Sequence, residues 1–330
     1  MSLPAAALAA ILIAAHPVHA QDARPIDLAR AVVVAASSDP VVATAVDMFQ
    51  DEVERRSGIR PEQAADKAVG APAIVLGVQG ALPAGYAPPR GYPDPPDQED
   101  GYAIYGADSS GLVYVVGHDA RGVLFGVGRL IRLLDLGPGQ IALRDGVRIA
   151  TAPKLRIRGH QMGYREAANT YDAWTLETYE QYLRDLVLFG TNAVELITSL
   201  DPTFKEGKVM ARTQWDMNVD LTKLLKRYGL DVWFWMPLEG DVRDPKVAQQ
   251  ELDDRAKFFS ACADITDIMV PGGDPGHTEP VDLFPWLEKL AAVLQGRFPH
   301  AGVWVSNQQF KFGPAETDVF VGYIRDNQPT

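Results

Sequence analysis

Short runs of apolar, β-branched residues alternate along the chain with segments whose apolar residues fall on one helical face. In the first part of the chain, apolar runs at Ala31 to Val34 and Ala73 to Val78 flank a helical pattern at Val41 to Ser57. Strands repeat every two residues and helices every 3.6, so this order predicts a β-α-β beginning. The segment Gly80 to Gly101, crowded with proline, glycine and aspartate, predicts a loop.

Two further strands and a helix complete this first region. The pattern predicts strands at Gly101 to Ala107 and Gly111 to Gly117, followed by a helix from Ala120 to Leu134. The region then has the order β-α-β-β-α and ends near Pro153. We therefore expect a small N-terminal α/β domain that covers residues 21–152.

After Pro153, apolar runs alternate with longer helical patterns, which is typical of a parallel sheet with helical crossovers. The predicted strands are Leu155 to Met162, Asn192 to Ile197, Asp231 to Met236, Ile265 to Val270 and Gly302 to Val305, and the predicted helices are Leu176 to Phe189, Val219 to Tyr228, Pro245 to Ala263 and Val281 to Phe298. A complete (β/α)8 barrel needs eight such units in about 250 residues.

The predicted fold class is therefore α/β, with the small N-terminal domain followed by a partial TIM barrel over residues 153–330. A candidate sixth strand lies at Val319 to Tyr323. We expect the chain to be a truncated product or fragment, and the alternative is a complete protein with an open sheet.

Residues 1–20 form an uncharged apolar run that ends in Val18-His19-Ala20, a pattern that signal peptidase accepts. This predicts a signal peptide cleaved near Ala20 and a periplasmic or secreted protein. The usual basic residues are missing, so an upstream start site and a disordered alanine-rich tail are alternatives. The apolar stretch Leu3 to Ala15 is too short for a bilayer core of about 30 Å, so we expect no membrane insertion.

Charge and motif content narrow the classes of partner. A formal net charge of −12 argues against nucleic acid as a partner, whereas neutral sugars remain compatible. The single cysteine, Cys262, rules out an internal disulfide framework. The sequence contains no HExxH or CxxC motif, and the glycines after Phe125 lack the dinucleotide-binding fingerprint, so we expect no metal and no cofactor.

Specific stretches carry a resemblance to known glycoside hydrolases. Gly101 to Ile104, Gly111 to Gly122 and Leu124 to Gly126 resemble the N-terminal domain that precedes the barrel in β-hexosaminidases of glycoside hydrolase family 20 and in α-glucuronidases. The stretch Arg158 to Arg165 resembles the first barrel strand of family 20. This resemblance implies that Arg158 contacts sugar hydroxyls.

The stretch Val270 to His277 contains a Gly-Gly-Asp sequence that is similar to the Gly-Gly-Asp-Glu motif of family 20. In that family the Asp orients the acetamido group of the substrate and the Glu protonates the leaving oxygen. The resemblance implies the first role for Asp274. Pro275 stands where the Glu is expected, so this position lacks the general acid of that mechanism. The resemblance therefore does not identify the substrate.

Independently of the resemblance, a barrel places its chemistry at the carboxyl ends of its strands. Glycoside hydrolysis needs an acid for the leaving oxygen and a second group that meets the positive charge on the sugar. Glu239 and Asp274 form the best catalytic pair on these grounds, because the apolar residues before Glu239 could raise its pKa. The expected substrate-binding residues are Arg158, His160, Tyr164, Arg165, Trp235, His277 and Asn307.

Each candidate has a structural alternative. Glu239 could lie in a solvated loop, Asp274 in a turn or helix N-cap, and Arg158 could pair with a carboxylate in the barrel floor. Lone histidines often only complete hydrogen bonds, and tryptophans often pack in cores.

The functional hypothesis is an exported O-glycosyl hydrolase of the hexosaminidase or α-glucuronidase type that acts on an oligo- or polysaccharide. The alternatives are a non-catalytic carbohydrate-binding relative, an inactive fragment, and a scaffold for a partner that completes the barrel.

Overall fold

The structure is a computed structural model that describes residues 25–35, 38–64, 72–87, 89–107, 111–164, 170–200, 207–272, 278–307 and 314–329. Within these residues the chain forms three sheets flanked by helices. The elements in chain order are β1 (Ile26–Asp27), β2 (Val32–Ala35), α1 (Pro40–Ser57), β3 (Ala73–Val78), β4 (Tyr102–Ala107), β5 (Leu112–Gly117), α2 (Ala120–Leu133), β6 (Leu134–Gly137), β7 (Gln140–Leu143), β8 (Val147–Thr151), β9 (Gly159–Met162), a 3-10 helix (Thr170–Ala173), α3 (Leu176–Leu188), β10 (Ala193–Ile197), α4 (Gln214–Arg227), β11 (Asp231–Trp235), α5 (Pro245–Ala261), β12 (Asp267–Pro271), α6 (Pro280–Arg297), β13 (Gly302–Ser306) and α7 (Pro314–Asn327).

The first region is a five-stranded sheet in the order β2-β3-β5-β4-β8. The strands β2, β3 and β5 are parallel, whereas β4 runs antiparallel to both of its neighbours. The helices α1 and α2 cover one face of this sheet and bury Phe49 and Leu124 completely. The predicted β-α-β-β-α order is confirmed, but β8 and the small antiparallel sheet β1-β7-β6 were not predicted.

The glycines around α2 explain why its sequence pattern is so distinctive. Asp119 caps the helix by accepting a hydrogen bond of 2.7 Å from the Gly122 N–H. A Cβ on Gly122 would lie 2.2 Å from the carbonyl oxygen of Gly101, and one on Gly126 would lie 2.5 Å from a methyl of Val115. These glycines therefore let α2 pack directly on β4 and β5.

The second region is a parallel sheet in the order β13-β12-β11-β10-β9, with helical crossovers between successive strands. This sequential order is that of a (β/α) barrel, so the protein is a small α/β domain followed by a partial TIM barrel. The five predicted strands and four predicted helices are confirmed, although β9 begins four residues later than predicted and α4 begins five residues earlier. Gly190 and Gly229 follow α3 and α4 with φ of +92° and +65°, where a left-handed backbone ends the helix.

The candidate sixth strand at Val319 to Tyr323 is wrong, because these residues belong to α7. Phe320 and Tyr323, three residues apart, both contact Phe284 of α6, with ring centroids 5.5 and 4.9 Å away. Val319, by contrast, is 55% exposed. The apolar run thus has one buried helical face instead of the two buried faces of an interior strand.

A buried carboxylate joins the two regions. Asp100 is only 2% exposed, and it accepts hydrogen bonds of 2.6 Å from Arg121 and 2.7 Å from Arg158. Asn192 donates to it at 3.3 Å, and Arg121 also donates to Asp231 at 2.8 Å. Since Asn192 and Asp231 lie at the amino ends of β10 and β11, this network attaches the N-terminal domain to the floor of the partial barrel.

A single hydrophobic cluster extends from α1 and α2 through the helices of the partial barrel. The proposed boundary near Pro153 therefore separates two sheets that share a core, and the domain limits stay a prediction. Residues 1–20 lie outside the described residues, so the signal peptide also stays a prediction. Across the described part of the chain, no helix combines the length and apolar character needed to cross a bilayer.

Candidate functional site

The parallel sheet has one face against the helices and one face that points away from them. The helix-facing positions include Val194, Phe234 and Ile268, which are fully buried. The opposite face carries four residues that cross-strand register places side by side: Gln161, Glu195, Trp233 and Asp267. Trp304 also lies on this face, because it follows Gly302, the cross-strand partner of Asp267, by two residues. We call the surface formed by these four residues and Trp304 the inner face, because it corresponds to the interior of a complete barrel.

Glu195 lies in the middle of β10 and has a close polar neighbour. The Gln161 side-chain amide donates a hydrogen bond of 2.6 Å to the Glu195 carboxylate. Burial raises the pKa of Glu195, and the hydrogen bond from Gln161 opposes this effect without cancelling it. The site therefore favours the protonated carboxyl more than water does, which is a property of general acids.

Asp267 is the second carboxylate of the inner face. The Trp304 indole N–H donates to it at 2.9 Å. Burial raises the pKa of Asp267, and the negative charge of Asp231 acts in the same direction. Because neighbouring strands lie about 4.8 Å apart and β11 separates β10 from β12, the backbones of Glu195 and Asp267 are about 10 Å apart.

Two indole rings lie near these carboxylates. The rings of Trp233 and Trp304 have centroids 5.2 Å apart and are tilted by 39°. Trp304 is 45% exposed, so part of its ring is open to solvent. The indole nitrogen of Trp233 is buried and has no hydrogen-bond partner among the described residues.

Three of the predicted residues lie at the carboxyl edge of the sheet. Trp235 ends β11 on the side of the inner face, and Asn307 directly follows β13. Glu239 lies beyond β11, is exposed, and lines a cavity of about 530 Å³ with Leu200 and Lys246. The apolar wall expected around Glu239 is therefore not found, since the carboxylate is open to solvent.

Two side chains of α5 hydrogen-bond the loop that carries Glu239. The Gly240 N–H donates to Glu251 at 3.0 Å, and Arg255 donates to the carbonyl oxygen of Pro237 at 2.6 Å. Arg255 also pairs with Glu251, although it is only 1% exposed. Burial lowers the pKa of Arg255, and the charge of Glu251 opposes this. The two side chains thus fix both ends of residues 237–240.

The remaining predicted residues within the described chain have structural partners elsewhere. Arg158 precedes β9 at the amino edge of the sheet and bonds Asp100, which is the barrel-floor alternative and not a sugar contact. His160 faces the helices, where the Tyr182 hydroxyl lies 3.0 Å from its Nε2, and burial lowers its pKa. Tyr164 is 1% exposed and donates to the carbonyl oxygen of Arg212 at 3.2 Å. All three side chains have partners within the protein, and the substrate-binding roles expected of them stay predictions.

Asp274, His277 and Arg165 lie outside the described residues, as does Pro275, so their proposed roles stay predictions. Within the described ranges, no group of three or more His, Cys, Asp or Glu residues is arranged to hold a metal ion. The site that does assemble contains Glu195 and Asp267, which sequence reasoning missed. For Glu195 the available signal was a charged residue in the middle of a buried parallel strand, whereas Asp267 is the first residue of β12.

Comparison with solved structures relates the fold of this chain to the folds of glycoside hydrolases. The chain is similar to the chitobiase of Flavobacterium johnsoniae, with a TM-score of 0.63 and 13% identity over 93% of this chain and 56% of that one. It is also similar to a mutant Streptomyces plicatus β-hexosaminidase in complex with GlcNAc, with a TM-score of 0.63 and 13% identity over 92% and 70% of the two chains. A family GH115 4-O-methyl-α-glucuronidase gives a TM-score of 0.55 and 14% identity over 81% and 40%.

These similarities establish a shared fold with glycoside hydrolases. The chain spans 56% of the chitobiase and 70% of the hexosaminidase. No protein-family model matches the chain, and no curated protein matches its sequence.

Proposed function

We propose that this protein is an exported O-glycosyl hydrolase of the hexosaminidase or α-glucuronidase type that acts on an oligo- or polysaccharide at the inner face. The observation that carries this proposal is the pair of carboxylates with raised pKa values, Glu195 and Asp267, beside the indoles of Trp233 and Trp304. An indole face matches the apolar face of a pyranose ring, and the flanking carboxylates supply the two groups that hydrolysis requires.

In the proposed mechanism, Glu195 is the general acid and Asp267 the general base. Glu195 gives its proton to the glycosidic oxygen as the bond to the anomeric carbon breaks. Asp267 takes a proton from the water that adds to the opposite face of that carbon. Inverting enzymes hold such carboxyl groups roughly 6.5–9.5 Å apart. A backbone separation of about 10 Å across one intervening strand is compatible with that distance when both side chains point into the barrel.

The carboxyl edge would hold neighbouring sugars. Trp235 ends β11 and Asn307 directly follows β13 at this edge, and Glu239 lines the cavity beyond β11. Asp274 keeps the substrate-orienting role that the family resemblance implies, and His277 keeps the substrate-binding role expected from its place after the fourth predicted strand. Export depends on the signal sequence proposed for residues 1–20.

The second candidate function is carbohydrate binding without turnover. It is favoured by the side-chain bonds of the two carboxylates, since Gln161 and Trp304 already engage them. In this alternative, the exposed ring of Trp304 serves as a stacking platform and no bond is broken.

The test is release of 4-nitrophenol from a panel of 4-nitrophenyl glycosides, which includes the N-acetylglucosaminide and the α-glucuronide. We expect turnover by the parent protein and a loss of about 10²–10⁴-fold in kcat for Glu195→Gln and for Asp267→Asn. Glu99→Gln, a surface variant, is the matched control and should retain full activity. Turnover at buffer background across the panel, together with saturable sugar binding, would select the non-catalytic alternative.

A further inference from the structure

The N-terminal domain contains a cavity that lies apart from the inner face. One face of its five-stranded sheet packs against α1 and α2, and the other face carries a second hydrophobic cluster built around Tyr105, Tyr114 and Val116. The connection between β3 and β4 crosses this second face and adds Tyr86 and Tyr92. A cavity of about 490 Å³ lies between this connection and the sheet.

We propose that this cavity binds a neutral saccharide, and we call it the tyrosine cavity. Its wall is formed by Leu82, Pro83, Tyr86, Tyr92, Asp94 and Pro95. Ligand pockets have volumes of roughly 300–1,000 Å³, so the tyrosine cavity is large enough for a mono- or disaccharide. The proposal does not depend on hydrolysis at the inner face, because the two sites lie on different sheets.

Two tyrosines of the cavity wall have buried hydroxyls without partners in the described part of the chain. The hydroxyl oxygens of Tyr86 and Tyr92 are both buried, and neither has a hydrogen-bond partner among the described residues. Tyr86 as a whole is only 3% exposed. A buried hydroxyl normally finds a partner, because leaving it unpaired loses the bond that it made with water. Both tyrosines line the cavity, so a small rotation of either side chain on ligand entry would bring its hydroxyl to a ligand hydroxyl and restore that bond.

Tyr114, unlike Tyr86 and Tyr92, has a hydrogen-bond partner for its hydroxyl among the residues that the structure describes. The Tyr114 hydroxyl donates to the carbonyl oxygen of Ala87 at 3.2 Å and so holds the connection against the sheet. The Tyr92 ring contacts the rings of Tyr105 and Tyr114 edge-on, with centroids 6.0 and 6.2 Å away. These contacts hold the Tyr92 ring between the sheet and the cavity.

The side chains of the cavity wall combine apolar rings with a hydrogen-bond acceptor. Its tyrosine and proline rings offer flat apolar surfaces, and Asp94 adds a carboxylate that can accept hydrogen bonds from vicinal hydroxyls. No lysine or arginine occurs among the described lining residues, so an anionic ligand would meet only the negative charge of Asp94. A ligand with many neutral hydroxyls and apolar ring faces fits this combination better than a purely apolar one.

The experiment is a nuclear magnetic resonance titration of the full chain with its tyrosine rings labelled. The probes are N-acetylglucosamine, glucose, galactose and chitobiose, with glucuronate as the anionic comparison. We expect at least one neutral sugar to shift the Tyr86 and Tyr92 ring signals saturably, with a Kd of about 1 mM. Glucuronate should leave these signals unchanged.

Variants identify the site. The double variant Tyr86→Phe and Tyr92→Phe keeps both rings and should weaken binding about tenfold, whereas Tyr323→Phe is the matched control and should not. Because the two hydroxyls are unpaired, the double variant should unfold at the same temperature as the parent or higher. Glu195→Gln should leave the ring shifts unchanged, which separates this site from the inner face.

The proposal is overturned if no neutral sugar shifts the two ring signals at concentrations up to about 50 mM. It is equally overturned if the double variant binds as tightly as the parent, or if an oligoproline peptide binds where the sugars do not. A lower unfolding temperature of the double variant would show that the hydroxyls have protein partners, and would also contradict it.

Discussion

The buried carboxylate that joins the two regions can be tested by removing its charge. Asp100 is 2% exposed and accepts hydrogen bonds from two guanidinium groups, those of Arg121 and Arg158, which are only 21% and 20% exposed. Asp100→Asn leaves both cations partly buried without their shared anion. Removing one partner of a buried ion pair costs about 3–5 kcal/mol, and each hydrogen bond to a charged group contributes about 1.5–3 kcal/mol.

The backbone at Asp100 distinguishes two variants. Its φ is +62°, a left-handed conformation that asparagine tolerates and alanine does not. Asp100→Ala should therefore lower the free energy of unfolding by about 1–2 kcal/mol more than Asp100→Asn does. The control is Asp97→Asn, because the side chain of Asp97 is fully exposed in the same loop.

The assay is urea denaturation followed by tryptophan fluorescence, with thermal unfolding as a second readout. At about 2 °C per kcal/mol for a large domain, Asp100→Asn should lower Tm by roughly 6–10 °C. If the free energy of unfolding of Asp100→Asn lies within about 0.5 kcal/mol of the parent value, as it does for surface substitutions, the Asp100 network does not hold the two regions together.

Two further predictions concern the partial barrel. The raised pKa of Glu195 means that the folded state binds its proton more tightly than the unfolded state, so its contribution to stability is lost as pH rises through the folded pKa. Glu195→Gln should accordingly raise Tm near neutral pH and change it little in acid, and an unchanged Tm at every pH would contradict the burial argument. Arg255→Ala should lower the free energy of unfolding by about 3–5 kcal/mol in urea denaturation, because it leaves Glu251 and the Pro237 carbonyl without their buried cation. Lys289→Ala, an exposed substitution on α6, should stay within about 0.5 kcal/mol, and a similarly small effect of Arg255→Ala would refute the anchoring role.

The strands β10, β11 and β12 could be predicted because each contains an apolar run with buried positions and lies between helices. The α7 helix could not be predicted in this way. Its run Val319 to Val321 has the composition of a strand, and only the packing of Phe320 and Tyr323 on α6 distinguishes it from one.

The site was harder to predict because small errors in strand limits move side chains between surfaces. The predicted strand Leu155 to Met162 includes Arg158, whereas β9 begins at Gly159 and leaves Arg158 before the strand, at the floor of the partial barrel. The alternation of side chains along a strand also does not show which residues face the helices and which face the barrel interior. His160 and Gln161 point in opposite directions, and cross-strand register was needed to put Gln161 beside Glu195. Attention to strand ends missed Glu195, which lies in mid-strand.

The most direct test of the inner face is the pH dependence of kcat/KM for the parent protein and for Glu195→Gln, measured on the best 4-nitrophenyl glycoside. If Glu195 is the general acid, the parent loses activity as pH rises through its raised pKa, and the residual activity of Glu195→Gln lacks that alkaline limb. The same alkaline limb in both proteins, or full activity in Glu195→Gln, would contradict the central claim.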